Sequence, residues 1–565
     1  MYKNTEGTGG RSLKEKRIPV FIAIMLMILA IAGAAGWLVA KRFIPTKEPA
    51  DLGQVLGVRG EETAVFLNGE LQEVKGITRE GQSYLPLEWV NAYINEKFYW
   101  DHTEQLLVYA LPDSIVYADR QTVGSLGSPL MLFEGDEIYL SVGLINNYTA
   151  VDTVSYTGEE HKRIYLDTRW EPYEIGTAAK RSAVRVKAGI KSPILTYVEK
   201  NGEFVILEQS EDWTHVQTPD GYTGYLKNKA VGSIKSREHP CTVEMPEYTN
   251  ISMDEKVCLV WHQITSENAN DAMEQLTANT SGVNVIAPTW FSLTDNNGAY
   301  HSYASRSYVD KAHEMGMQVW AALDNFNMGE NVNSEILFAR TSVRKNLIAS
   351  LMEDVKTYDL DGINLDIEGI KPEAGPHYVQ FIRELSVSCR NEGIILSVDN
   401  YVPTAYTSFY NRAEQGRVAD YVIIMGYDEH HAGGEAGSVA SYLFVKEGIE
   451  NTLALVPKEK VINAVPFYTR IWTEKDGSTT SSAVGIRDAL KWVEENDVEL
   501  YWQEELGQYY GELATEDGLK MVWMEESVSL GLKKDLITEY DLAGIACWKL
   551  GFEPEAIWDI VKVNE

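Results

Sequence analysis

Cysteine is scarce in this 565-residue chain, which has four: Cys241, Cys258, Cys389 and Cys547. So few thiols exclude a disulfide scaffold, and no metal-ligand cluster stands out. Cys258 and Cys547 lie in apolar strand-like runs and read as buried free thiols; Cys241 and Cys389 are unassigned. Basic residues are also short, 50 against 83 acidic ones, for a formal net charge of −33. That balance excludes a nucleic-acid-binding surface and suits a solvated, exported one, although it repels acidic wall polymers at low salt. No nucleotide-binding loop stands out either, so no metal or organic cofactor is implied.

What is present begins with an uncharged apolar run at residues 18–40. Its 23 residues are long enough to cross a bilayer with some tilt. A cleaved signal has a shorter apolar core, and the small residues Ala32-Gly33-Ala34-Ala35 sit inside the run, which favours an uncleaved anchor. Arg11, Lys14, Lys16 and Arg17 precede the run and Lys41 and Arg42 follow it, so charge bias alone orients it weakly. Orientation rests on the downstream modules. Residues 1–17 read as a cytoplasmic tail and the C-terminal domains as extracytoplasmic, giving a single-pass cell-membrane protein.

The remaining length exceeds one core, so several domains are expected. Residues 41–61 form a linker. Residues 62–170 carry an approximate repeat, in which Ser83-Tyr84-Leu85-Pro86 is echoed by Ile138-Tyr139-Leu140-Ser141 before a short helix-like piece. Two copies are too few for a solenoid. Residues 178–232 are strand-rich and turn-punctuated, with Trp213, Tyr222 and Tyr225 either lining an aromatic groove or forming the core and corner of a small barrel. A second linker spans 233–254. From 255 to 565, apolar runs alternate with helical segments at 257–261, 283–287, 318–323, 363–367, 394–398, 421–425, 461–465 and 542–548. Eight such runs predict an α/β fold, a (β/α)8 barrel, with a doubly wound sheet as the alternative. The long interval at 471–541 predicts an inserted subdomain beside the site.

The fourth run is the one the barrel is organised around. Asp361-Gly362-Ile363-Asn364-Leu365-Asp366-Ile367-Glu368 alternates with strand periodicity, so Asn364, Asp366 and Glu368 share one face. The bland reading is an edge strand with a solvated polar face; buried, such a face must be hydrogen-bonded or used. In a barrel, Glu368, the Met425-Gly426-Tyr427-Asp428 stretch and Trp548 all fall at the C-terminal strand ends, at one mouth. Asp324-Asn325 and Asp399-Asn400-Tyr401 end the third and fifth runs there too.

The fourth run resembles the DxxDxDxE signature of family 18 glycoside hydrolases, matching at Asp361, Asp366 and Glu368 and departing at Asn364. Met425, Tyr427 and Asp428 resemble the sixth-strand motif, Pro466-Phe467-Tyr468-Thr469-Arg470 the seventh-strand segment, and Trp548 the barrel-floor tryptophan. By that resemblance Glu368 is general acid and later base. Asp366 orients the substrate's 2-acetamido group, and Tyr427 donates to its oxygen. Trp548, Asn364, Met425, Asp428 and Tyr468 are expected to bind substrate, and Asn364 to tune Asp366 through a neutral hydrogen bond. Asp361 is expected to fix the strand entry.

The third run lacks the Gly-Gly segment common in chitinases, which puts ordinary chitin in doubt. Trp502-Gln503-Glu504-Glu505, Val522-Trp523-Met524-Glu525-Glu526 and the segment from Gly544 to Glu553 resemble the spore-cortex and cell-wall branch, whose members act as N-acetylglucosaminidases on peptidoglycan. Trp502 and Trp523 are either sugar-stacking or core residues. Residues 62–170 resemble the N-terminal-like domain of copper amine oxidases, with no metal ligands implied. Val184-Arg185, Ser192-Pro193-Ile194, Trp213 and Gly221-Tyr222-Thr223-Gly224-Tyr225 resemble a bacterial SH3-like domain that would contact the wall. The resemblance implies a membrane-anchored hydrolase of peptidoglycan or another N-acetylglucosamine-containing polysaccharide; a non-catalytic glycan-binding surface protein is the alternative.

Overall fold

The computed structural model describes residues 17–125, 127–326 and 332–564. Of the tail expected at 1–17, residues 1–16 lie outside the described residues. Arg17–Phe43 is one helix, and its Val20–Phe43 part, of mean hydropathy 2.5, is long and apolar enough to cross a membrane. The chain then divides into two compact units, one of residues up to 95 with 123–245, the other of 96–122 with 246–565.

The first unit holds two seven-stranded sheets. In one, the repeated Tyr-Leu pairs meet. Leu85 lies opposite Leu140 across antiparallel strands Gln82–Pro86 and Glu137–Ser141, and each strand runs straight into a two-turn helix, Leu87–Tyr93 or Val142–Tyr148. The other sheet closes on Val184, Phe204, Val216 and Leu226. Trp213 and Tyr225 occupy the alternate positions, on its outer face rather than in its core. There Tyr225 stacks on His215 at 4.6 Å between centroids and the Lys227 ammonium lies 5.4 Å from the Trp213 ring. Tyr222 sits apart from them, under the Arg163 guanidinium at 4.1 Å.

The stretch expected as one domain at 62–170 is divided. Residues 96–122 leave it for the second unit, where Tyr99–Asp101, Leu106–Ala110 and Ile115–Ala118 form a three-stranded antiparallel sheet. The reason is a set of buried partners on the barrel helices. Asp101 accepts hydrogen bonds from the Thr341 backbone N–H (2.6 Å) and hydroxyl (2.7 Å) at the start of helix Thr341–Tyr358, and the Tyr99 hydroxyl meets His377 Nδ1 at 2.7 Å. The Arg344 guanidinium carbon lies 4.8 Å from the Tyr99 ring centroid.

The rest of the second unit is a closed barrel of eight parallel strands: β1 (Val257–His262), β2 (Val285–Pro288), β3 (Gln318–Asp324), β4 (Gly362–Asp366), β5 (Ile395–Tyr401), β6 (Tyr421–Met425), β7 (Val461–Pro466) and β8 (Gly544–Trp548). Each pairs with the next and β8 pairs with β1. Residue parity sorts the side chains. Ile363, Leu365, Leu396 and Val398 pack in the layer shared with the helices, while Val257, Leu259, Trp320, Ile395, Ile423 and Ala546 fill the interior. Trp320 is fully buried there, and its truncation to alanine costs about 3–5 kcal/mol. At the closing seam a Cβ on Gly544 would lie 2.1 Å from the Val257 carbonyl oxygen, so only glycine lets β8 approach β1. After β7 the chain builds a five-stranded antiparallel sheet, Tyr468–Lys475 through Gly518–Met524, with helix Ile486–Glu495 packed on it. Cys258, Cys389 and Cys547 are buried free thiols and Cys241 is exposed.

Candidate active site

The fourth strand enters the barrel on Asp361. Its carboxylate accepts the Val319 N–H at 2.8 Å and faces His313 Nε2 at 2.8 Å, which fixes the register of β4 against β3 far from the mouth. Asn364 comes next on the inward face and is fully buried. Its Oδ1 accepts the Trp261 indole N–H at 3.0 Å, and its amide donates to Ser397 Oγ (3.0 Å) and Asp399 Oδ1 (2.8 Å). Asn364 was expected to bind substrate and to hydrogen-bond Asp366; it is fully buried, and its hydrogen bonds go to β1 and β5.

One step towards the mouth lies a row of carboxylates. Asp324 of β3 pairs in register with Asp366 of β4. The β4–β5 register, Asn364 with Ser397 and Leu365 with Val398, continues to Asp366 beside Asp399. Side chains of registered residues in parallel strands share a face, so three carboxylates stand abreast at one level. All three are buried. Ser292 Oγ donates to Asp324 Oδ1 at 2.8 Å and the Phe326 N–H donates to the same oxygen at 3.1 Å. Oδ1 of Asp366 is buried with no hydrogen-bond partner.

Glu368 stands above the row, half-buried, on the backbone that follows β4. Asn325 grips its peptide from both sides. Its amide donates to the Glu368 carbonyl at 2.7 Å and its Oδ1 accepts the Glu368 N–H at 2.9 Å. The Tyr401 hydroxyl donates to the Glu368 carboxylate and accepts the Gly369 N–H at 3.1 Å. The acid is thus held by the ends of β3 and β5, strand ends that the sequence had marked only by position.

Burial raises the pKa of every carboxyl in this group, because the charged form loses water. For Asp366 the rise is large, and the charges of Asp399, Glu368 and Asp324 add to it. Asp399 is also held well above the usual range by burial and by Glu368, against the opposing donation from Asn364. Glu368 is raised by burial, opposed by the Tyr401 hydrogen bond and helped by Asp428. Asp324 is raised by burial against its two donors.

The remaining expected residues come from β6, β7 and β8. Tyr427 follows β6, and burial with the charge of Asp366 keeps its phenol protonated well past the ordinary range. Its ring meets Tyr468 edge-on at 6.1 Å, and the Tyr468 hydroxyl donates to Asp428 Oδ1 at 2.6 Å. Met425, the last residue of β6, is buried. Trp548, half-buried, tilts against Trp261 with centroids 6.0 Å apart, packs on the interior cluster and accepts the Phe467 N–H at 2.6 Å. Glu368, Asp366, Tyr427, Asp428, Tyr468 and Trp548 therefore share one end of the barrel, an arrangement able to deliver a proton beside a carboxylate and over an apolar floor. Trp502 and Trp523 lie on the inserted sheet, where Trp502 packs edge-on against Tyr509 and Trp523 is tilted against Tyr510.

Sequence reasoning missed Trp261, the partner of Asn364, and the structural work of Asn325, Tyr401 and Asp399. The available signal was parity: Asp324, Asp399 and Tyr401 have the inward phase of their strands.

Known proteins match this architecture. The family model for Glycosyl hydrolases family 18 matches residues 246–553, and that for Bacterial SH3 domain matches residues 180–232. The chain is 27% identical over 293 residues to the uncharacterized glycosylase YvbX of Bacillus subtilis (strain 168), across 50% of this chain and 84% of that one. It is 26% identical over 262 residues to the cortical fragment-lytic enzyme of the same organism, across 45% of this chain and 61% of the relative, less than two thirds of its length. A chitinase from Chromobacterium violaceum shares the fold, with a TM-score of 0.50 at 21% identity over 54% of this chain and 98% of that one.

Proposed function

From the premise that the chain belongs to glycosyl hydrolases family 18 and is a glycoside hydrolase, we propose that it cleaves β-1,4 bonds after N-acetylglucosamine in peptidoglycan or chitin-like glycans, with retention. The observation that carries this reading is the meeting of Glu368, Asp366, Tyr427 and Trp548 at one barrel mouth. Glu368 protonates the leaving oxygen, a task suited by a carboxyl whose pKa is raised towards working pH. No second carboxylate is needed as nucleophile, since in this family the substrate's own acetamido oxygen attacks. Asp366 accepts the acetamido N–H and opposes the developing positive charge, and Tyr427 donates to the acetamido oxygen. Trp548 lies under the sugar, with Tyr468 and Asp428 holding the Tyr427 side of the pocket. Deprotonated Glu368 then activates water.

Helix Arg17–Phe43 anchors the enzyme as a single-pass membrane protein with the barrel outside the cytoplasm, and the SH3-like domain contacts the wall. The cortical fragment-lytic relative supports a wall polymer as substrate.

The test uses the full chain in detergent and its Glu368→Gln variant, each incubated with purified peptidoglycan and with N-acetylglucosamine oligomers. Mass spectrometry identifies the sugar at each new reducing end. New N-acetylglucosamine ends that the variant does not produce are expected. Bound but intact polymer at every pH from both proteins would replace the enzyme reading with that of a glycan-binding protein.

A further inference from the structure

The family signature has an aspartate where this chain has Asn364, yet the barrel interior has not lost a carboxylate. Asp399 stands on the neighbouring strand, buried, with one oxygen held by the Asn364 amide at 2.8 Å and its Cα in line with that of Asp366. Between Asp324 and Asp399, the Oδ1 atom of Asp366 is buried with no donor. Three buried carboxylates abreast on adjacent strands cannot all be ionised, because each charge opposes the next. A proton lodged between two of them removes both the repulsion and the unmet acceptor.

We propose that Asp399 is a positioning residue for catalysis, sharing one proton with Asp366 and so supplying from β5 the carboxylate that Asn364 lacks on β4. Asn364 becomes the bracket that holds Asp399 in place, itself braced by Trp261 and Ser397. This rests on the hydrolase reading above. In the resting site the pair carries one proton and one negative charge. As the acetamido oxygen bonds to the anomeric carbon and the glycosidic bond breaks, the shared proton settles on Asp399, leaving Asp366 fully ionised against the cationic ring. When water opens the ring intermediate the proton returns to the shared position. Glu368 separately gives its proton to the leaving oxygen and recovers one from water, so the pair neither gains nor loses a proton over a turnover. The other titratable groups facing the pair are Asp324 from β3, Glu368 above β4, Tyr410 from the turn after β5, Tyr427 after β6 and Tyr378 from helix Gly375–Glu392, with Tyr401 at the end of β5 acting through Glu368.

The experiment compares three full-length proteins: wild type, Asp399→Asn, and Asn364→Asp combined with Asp399→Asn. Asp399→Asn is expected to lower kcat about tenfold or more with KM within about twofold, while the double variant, which moves the carboxylate back to β4, recovers most of the loss. A single variant with unchanged kcat and pH profile, or a folded double variant no better than the single, overturns the proposal. A second readout does not need turnover. In a Glu368→Gln background, the infrared band of buried protonated carboxyl is titrated with and without Asp399→Asn. Loss of the neighbouring charge is expected to move its midpoint down by about one pH unit; an unmoved midpoint overturns the shared proton. Wild-type protein that cleaves nothing, together with a moved midpoint, would remove the hydrolase reading and leave the proton pair standing.

Discussion

Two groups of buried acids in this barrel unit differ in what they meet. In one, away from the mouth, each of three acids meets a cation: Glu384 with Arg344 at 2.9 Å, Glu414 with Arg383 at 2.7 Å and Glu525 with Lys533 at 2.6 Å. At the mouth, Asp324, Asp366, Asp399 and Glu368 have hydroxyl and amide neighbours and each other, and no cation among the described residues pairs with them. A cation fixes a buried carboxylate as an anion and makes it part of the scaffold. Its absence leaves the proton free to move at working pH, which scaffolding does not need and acid catalysis does.

That contrast breaks most sharply at Glu368. Glu368→Gln is expected to lower kcat by about 10²–10⁴-fold with little change in Tm, measured on oligosaccharide substrate and by thermal unfolding. In the wild type, activity requires Glu368 protonated. Its pKa is raised, so kcat/KM should hold at low pH and fall as pH rises through that raised value; the variant's residual activity should lack this limb. At the paired acids the result should reverse. Arg344→Ala strands Glu384 without its cation and is expected to cost about 3–5 kcal/mol in denaturant unfolding, with catalysis in the surviving folded protein unchanged. Asn325→Ala should keep the fold and lower kcat by about tenfold, because the grip on the Glu368 peptide is lost and the acid drifts from its target.

The mildest change sharpens the contrast through pH. Asp324 has a folded-state pKa above its unfolded one, so wild-type stability declines as pH rises from the unfolded value through the folded one. Asp324→Asn cannot ionise. Its Tm should exceed that of wild type at neutral pH, and the gain should vanish at about pH 4 and below. An equal gain at all pH values would show that Asp324 is not protonated on folding.

The barrel was legible because eight apolar runs of strand length punctuate 300 residues of helical pattern, and a buried parallel strand can hardly read otherwise. Alternation assigned Asp366 and Glu368 to one face of the fourth run, whereas Tyr427 was reached only through the resemblance of Met425, Tyr427 and Asp428 to a sixth-strand motif. The direction of the Asn364 amide was not legible, since it is decided by Trp261 and Ser397 across two strand gaps, and spacing along one strand carries no information about its neighbours. The grouping of the three-stranded sheet at 96–122 with the barrel was not legible for a related reason. Tyr99 and Leu107 look like core residues of whatever module surrounds them in sequence, and only Thr341 and His377, more than 200 residues on, reveal which core that is.

The three-stranded sheet at 96–122 also limits how this protein can have been assembled. The barrel unit is discontinuous in the chain: part of its surface is encoded inside the preceding repeat module. An exchange of genetic material that carried off residues 246–565 alone would deliver a barrel with Thr341 uncapped and the ring of Tyr99 missing from beside Arg344. The repeat module, moved alone, would carry a strip of apolar sheet with nothing to cover it. Neither piece travels well by itself, so the two are expected to be inherited together, and the SH3-like segment with them, because buried Arg163 of the repeat module donates to the Gly221 carbonyl at 2.6 Å.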